Sequence, residues 1–169
     1  MRVSRLPLVL TAIILIGGAG WIYAQQRRSS GMLSPQDFLE IDQLVQGYTR
    51  GVDVGPEDPS WVFASDGVFS YAGRTYSGEQ QLKEFYATVR KNHVPKQRHL
   101  LSNLVVKASP EGATGSVYLT TIEGRDASKP IAITYYGMYE DTFVRTAAGW
   151  RIKRRVYHQD APPEPTRQP

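Results

Sequence analysis

The hydrophobic pattern of this chain changes period at Gly67, and that change limits the folds open to it. Ahead of it, Phe38, Ile41, Leu44, Val45 and Tyr48 recur at three- and four-residue spacing, the apolar stripe of a helix. Ser34-Pro35-Gln36-Asp37 supplies the start: a capping hydroxyl, a proline suited to the first helical position, and an acid at the positive end of the helix dipole. The helix is expected to end near Gly51. A turn at Gly55-Pro56 and a short second helix through Trp61 and Phe63, after Asp58-Pro59, are expected next. Beyond Gly67, Val68-Phe69-Ser70-Tyr71 and Arg74-Thr75-Tyr76 read as a hairpin around Ala72-Gly73. Ser77 and Gly78 open a third helix with Leu82, Phe85, Tyr86 and Val89 inward, and Pro95 closes the segment. The remainder reads as long strands over residues 97–108, 115–123, 131–145 and 150–157, turning at Pro110-Glu111-Gly112 and Ala148-Gly149. Three helices followed by a mostly antiparallel meander make an α+β domain with the helices on one face of the sheet.

Both ends fall outside that domain. Arg2 and Arg5 precede an apolar run over residues 6–23, followed by Ala24 and then Gln25, Gln26, Arg27 and Arg28, the layout of an export signal. Residues 6–24 also approach the ~20 that span a bilayer as a helix. Residues 1–30 therefore read as a signal peptide or an uncleaved membrane anchor, which places the domain in the periplasm, secreted, or tethered outside the cytoplasm. Residues 159–169 read as a disordered proline-rich tail. About 130 residues remain, enough for one core and not two.

The formal charge of +4 sits mainly at the N-terminus: without Arg2, Arg5, Arg27 and Arg28, 16 basic residues face 16 acidic ones. No basic stripe with interleaved aromatics tracks phosphates, so nucleic acid is not expected as a partner. Lys153-Arg154-Arg155 lies in a strand, where neighbouring side chains point to opposite faces, and reads as a solvated edge. The absence of cysteine excludes disulfides, thiol catalysis and thiolate metal sites. His93, His99 and His158, spaced by 6 and 59 residues, show no metal-ligand motif, so no metal is expected. No serine stands in a nucleophile elbow, and no glycine-rich loop is built for phosphate.

Three stretches resemble the SnoaL-like branch of the NTF2-like superfamily. They are Tyr48-Thr49-Arg50-Gly51-Val52-Asp53 with residues 61–69, then Arg98-His99-Leu100-Leu101-Ser102-Asn103, and finally Gly137-Met138-Tyr139-Glu140-Asp141 with Gly149-Trp150-Arg151-Ile152 and Arg155. The resemblance covers residues 33–158 and implies an NTF2-like cone, three N-terminal helices packed on a strongly bent sheet, with an open end that admits a small hydrophobic molecule. It also implies pairing of two copies through the open sheet face.

Within that superfamily, scytalone dehydratase and bile-acid 7α-dehydratase pair an aspartate after the first helix with a histidine on the first long strand. Asp53 and His99 stand at matching places, and Tyr48 resembles a tyrosine of the bile-acid enzyme. A histidine can move a proton beside a carbonyl near neutral pH, a carboxylate can orient it, and a phenol can donate to an oxyanion; no cofactor is needed. The resemblance asks for a second histidine or an aspartate on the next strand, where residues 115–121 offer Tyr118, Thr120 and Thr121 but no acid or imidazole, so that partner is missing or replaced by Tyr118, as a second candidate donor to an oxyanion. By strand alternation Asn103 shares the face of His99 and Leu101, and Trp61, Phe69 and Tyr139 are expected to line the pocket with Asn103 and Tyr118. Structural readings stand beside these: Tyr48 as core, Asp53 as a turn cap, His99 as a buried histidine held by Asp53. Function therefore divides into a cofactor-independent dehydratase or isomerase, and a non-catalytic module that binds the same ligand.

Overall fold

A computed structural model describes residues 32–54, 58–92, 97–124, 128 and 130–160. The expected export signal or anchor (residues 1–30), the Gly55-Pro56 turn, His93, Pro95 and the proline-rich tail from residue 161 lie outside the described residues. Among those described, no helix is long and apolar enough to cross a membrane.

Helix α1 (Pro35–Asp53) begins as its sequence requires. Ser34 Oγ accepts from the Asp37 N–H at 3.1 Å, and Asp37 Oδ2 accepts from the Ser34 N–H at 2.9 Å, a reciprocal capping box. Ile41, Leu44, Val45 and Tyr48 are buried as the periodicity predicts, whereas Phe38, one turn earlier, stays largely exposed. The short second helix is a single 3₁₀ turn, Pro59–Val62, capped by Asp58. It stops before Phe63 because the chain there is already extended: β1 runs Phe63–Tyr71, five residues longer than the apolar pattern alone suggests. Gly67 permits this. The strand shifts register between Phe63 and Val68, and a Cβ on Gly67 would lie 2.8 Å from the Ala64 carbonyl oxygen.

Strand β2 (Arg74–Ser77), helix α2 (Gly78–Lys91) and strands β3 (Gln97–Ser109), β4 (Gly112–Glu123), β5 (Ala132–Thr146) and β6 (Gly149–Gln159) follow. One six-stranded sheet results, in the order β2-β1-β6-β5-β4-β3, antiparallel except where β1 meets β6. Register shifts interrupt four of its five pairings, and each bends and twists the strand that carries it. Helix α1 packs on β3 and β6, and α2 on β1 and β2. The inner face thus closes over one core in which Tyr48, Phe63, Phe69, Tyr86, Tyr139 and Tyr157 form a continuous aromatic cluster.

Asp37 also fastens the start of α1 to the β5–β6 hairpin. Its Oδ1 accepts from Trp150 Nε1 at 3.1 Å and from the Arg145 guanidinium. Partial burial pushes the Asp37 carboxyl upward, but the Ser34 N–H and hydroxyl, the Trp150 indole and the Arg145 charge outweigh it and hold the group below its ordinary value. A depressed carboxyl contributes stability that is present above its unfolded pKa and is lost as pH falls through the folded one. Asp37→Ala should therefore cost about 1–2 kcal/mol at pH 7, the worth of a helix cap with its partners, and clearly less at pH 2–3, where the wild type has shed the same interactions. Urea melts of both proteins at the two pH values measure it.

Candidate functional site

The last residue of α1 and the third residue of edge strand β3 meet inside the domain. Asp53 Oδ1 lies 2.5 Å from His99 Nδ1, and Asp53 Oδ2 accepts the His99 backbone N–H at 2.8 Å. A carboxylate at a helix C-terminus faces the negative end of the dipole, and this one is also buried. Two converging N–H donors from one residue offset both penalties. The edge position explains the second donor: on an outermost strand alternate N–H groups point away from the sheet, and Asp53 takes the one at His99. With Nδ1 held by a carboxylate, the neutral ring carries its proton there and leaves the Nε2 lone pair free. Nε2 has no hydrogen-bond partner among the described residues, and the side chain is 15% exposed.

Of the other anticipated residues, Tyr48, Phe69 and Tyr139 are buried in the core, and Trp61, Asn103 and Tyr118 are exposed. Tyr48 is buried in the aromatic core, where its hydroxyl accepts from Tyr86 at 3.2 Å and its ring lies 4.4 Å from the Arg155 guanidinium carbon. Burial pushes the Tyr86 hydroxyl well above its ordinary pKa, with Tyr48 adding to the shift, so Tyr86 stays a donor to Tyr48. Phe69 and Tyr139 pack in the same aromatic core. Trp61 lies on the outside, 42% exposed, with its ring against Gly47 and Arg151 stacked over it.

Asn103 and Tyr118 face away from His99. The simple alternation that puts Asn103 beside His99 fails at a bulge: β3 shifts register between Ser102 and Val105, and Asn103 adopts φ +57°. Asparagine tolerates this left-handed backbone better than most residues, and the extra residue turns its side chain to solvent while Leu104 and Val106 take up the inner phase. On β4 the inner positions are Val117, Leu119, Thr121 and Glu123, so Tyr118, 52% exposed, stands on the opposite face and cannot replace a second-strand acid. His158 is exposed and pairs with Glu140 at 2.8 Å. Among the described residues, no group of three or more metal-ligating side chains is present.

A family model described as a SnoaL-like domain matches residues 35–156. This chain belongs to the SnoaL-like domain family. An uncharacterized Mycobacterium tuberculosis protein is 31% identical over 126 residues, 71% of this chain and 83% of its own. Among solved structures, an NTF2-like protein with a cystatin-like fold from Novosphingobium aromaticivorans superposes with TM-score 0.65 at 24% identity, over 80% of this chain and 86% of that one. A second protein from that bacterium, provisionally described as a scytalone dehydratase, gives TM-score 0.63 at 23% identity, over 73% and 84%. At these identities the likeness is one of fold.

Within this SnoaL-like domain, two inward polar groups, Arg155 and Glu123, escape the sequence reading, and a third, Thr121, is named there without a role. Arg155 is not part of a solvated edge. A bulge at Lys153 reverses the phase of β6, so Lys153 pairs outside with Asp66 while Arg155 turns fully inward. There Nε and Nη2 donate to Asp141 Oδ1 and Oδ2, each at 2.7 Å, between the Tyr48 and Tyr139 rings. Burial alone would pull this guanidinium toward the neutral form; the adjacent Asp141 outweighs it and keeps the charge. Thr121 and Glu123 are buried on β4 opposite His99 and Gln97, and Gln97 Nε2 donates to Glu123 at 3.1 Å. The sequence held one usable signal: Asp141 sits in phase with Tyr139 and Phe143, and an acid on an inward phase demands a buried cation.

Proposed function

We propose that this SnoaL-like domain binds a small hydrophobic molecule, aromatic, steroid- or polyketide-like, and moves a proton on it without a cofactor, as a dehydratase or isomerase. The observation that carries this reading is the 2.5 Å contact between Asp53 and His99 Nδ1, which leaves Nε2 unpartnered on a partly open ring. In this scheme Nε2 removes a proton from the carbon beside a ligand carbonyl, and Asp53 stabilises the imidazolium that forms. The imidazolium then returns the proton, either to a departing hydroxyl, which leaves as water, or to another carbon of the same skeleton. The fold shared with a protein provisionally described as a scytalone dehydratase supports the class of chemistry. Tyr118 stands on the far face of the sheet, which leaves Tyr48 as the phenol of the proposed site.

A second reading rests on the other oxygen of Asp53. Its bond to the His99 backbone N–H ties the end of α1 to β3, a structural task that a ligand-binding module without catalysis also needs. We further infer an extracytoplasmic location, through cleavage after Ala24 or tethering by residues 6–24, from Arg2, Arg5 and the apolar run that follows them.

Deuterium uptake separates the two readings. In D₂O the full chain with 1-tetralone, a bicyclic ketone, should exchange the protons beside the carbonyl about 10²–10⁴ times faster than buffer alone, the range of a positioned general base. Proton NMR follows the exchange directly. Binding of the ketone without acceleration leaves the binding module as the function and ends the enzyme reading.

A further inference from the structure

Polar groups closed off from water nearly always have a partner, because an unmade hydrogen bond in the interior is costly. Two side chains of this domain break that rule among the described residues: Arg155, at one nitrogen, and Thr121, at Oγ1. Arg155 has its other nitrogens satisfied by Asp141 and its faces covered by two phenol rings. Thr121 has nothing. Its side chain is only 1% exposed and its hydroxyl meets no acceptor or donor, although the Thr134 hydroxyl donates to its backbone carbonyl.

The position of that hydroxyl gives it meaning. Thr121 is the residue directly opposite His99 in the β3–β4 ladder, so the two side chains leave the same face of the sheet. Because the His99 N–H goes to Asp53, the pair is of the non-hydrogen-bonded kind, whose side chains approach most closely, with Cβ atoms about 4.5–5.5 Å apart. On either side along this face stand Leu101 opposite Leu119, and Gln97 opposite Glu123. An unpartnered hydroxyl and an unpartnered imidazole nitrogen thus stand side by side at the boundary between an apolar wall and a polar one.

We propose that Thr121 is the specificity residue of this site, donating its hydroxyl hydrogen to a carbonyl or hydroxyl oxygen of the ligand while His99 Nε2 faces the neighbouring C–H or O–H. The assignment rests on the proposed ligand site and narrows its substrate class to oxygenated ring compounds, excluding plain hydrocarbons of the same shape. It also accounts for keeping threonine where valine would pack as well without a hydroxyl left over.

The test compares 1-tetralone with tetralin, the same bicyclic skeleton without the oxygen, by NMR titration of the full chain. Wild-type protein should hold the ketone about tenfold more tightly than the hydrocarbon, the worth of one buried hydrogen bond. Thr121→Val should erase that preference, leave the tetralin affinity unchanged, and melt at the same or a higher temperature, because it removes an unsatisfied buried group. Thr121→Ser, which keeps the hydroxyl, should retain most of the preference. A tenfold preference surviving in T121V, or a lowered melting temperature showing that the hydroxyl has an internal duty, overturns the assignment. Wild-type deuterium exchange without any preference for the ketone overturns Thr121 alone. Absence of binding by either compound overturns the ligand site with it.

Discussion

Replacing Arg155 by methionine is expected to remove about 3–5 kcal/mol of stability, a fall in melting temperature on the order of 10–20 °C. Methionine fits the volume, so the loss does not come from a cavity. It comes from Asp141, a buried carboxyl left with no cation beside it, and from two tyrosine rings that lose the guanidinium between them. The unpartnered nitrogen of Arg155 makes a second, sharper expectation. A buried ion pair stabilises strongly only when every donor is satisfied, and this one is not. Changing both residues, Arg155→Met with Asp141→Leu, should therefore restore wild-type stability or exceed it by as much as a few kcal/mol. Urea unfolding of the wild type, both single variants and the double variant reads the cycle. An Arg155→Met variant melting within about 3 °C of the wild type would mean that the Asp141 carboxyl needs no cation, and the pair would lose its place as the centre of the core.

The same arginine shows where the sequence is legible and where it stops. Helix α1 was readable from Ser34, Pro35 and Asp37 at one end and from its apolar spacing along the middle, because capping and periodicity are local properties. Each of the long strands was readable as extended, because alternation is local too. What alternation cannot show is an inserted residue. A bulge at Asn103 and another at Lys153 each add one residue to a strand, and from there every side chain changes face. That single effect moves Asn103 out of the expected site and Arg155 into the core. Tyr118 failed for a different reason. Val117 and Leu119 form the apolar phase of β4 and take the inner face with Thr121 and Glu123, so alternation itself puts Tyr118 outside; only the resemblance, which asks for a polar group on that strand, drew it into the expected site. The approach of Asp53 to His99 was legible only through resemblance, since 46 residues separate them and nothing local in either stretch announces the other.

That contact carries the second large effect. Asp53→Asn should leave the domain folded, at a cost of about 1–3 kcal/mol, yet lower deuterium exchange into 1-tetralone by at least about a hundredfold. The aspartate accepts two hydrogen bonds from one residue, the backbone N–H and Nδ1–H of His99. An asparagine has a single oxygen to offer and an NH₂ group that can only donate. The backbone N–H cannot change its character, so the amide oxygen stays with it and the NH₂ group faces Nδ1. That nitrogen must then become the acceptor, and the ring proton moves to Nε2, the atom the proposed chemistry needs bare. The ring keeps its place while the base is lost, which His99→Ala cannot show because it deletes both. Ketone affinity should stay within about threefold of the wild type, since Nε2–H still meets the ligand, now as a donor. If the amide turned the other way, two donors would collide at the tie between α1 and β3, and the stability loss would exceed the expected range. Exchange in Asp53→Asn within threefold of the wild type, with the fold intact, would confine the carboxylate to holding the helix against the edge strand.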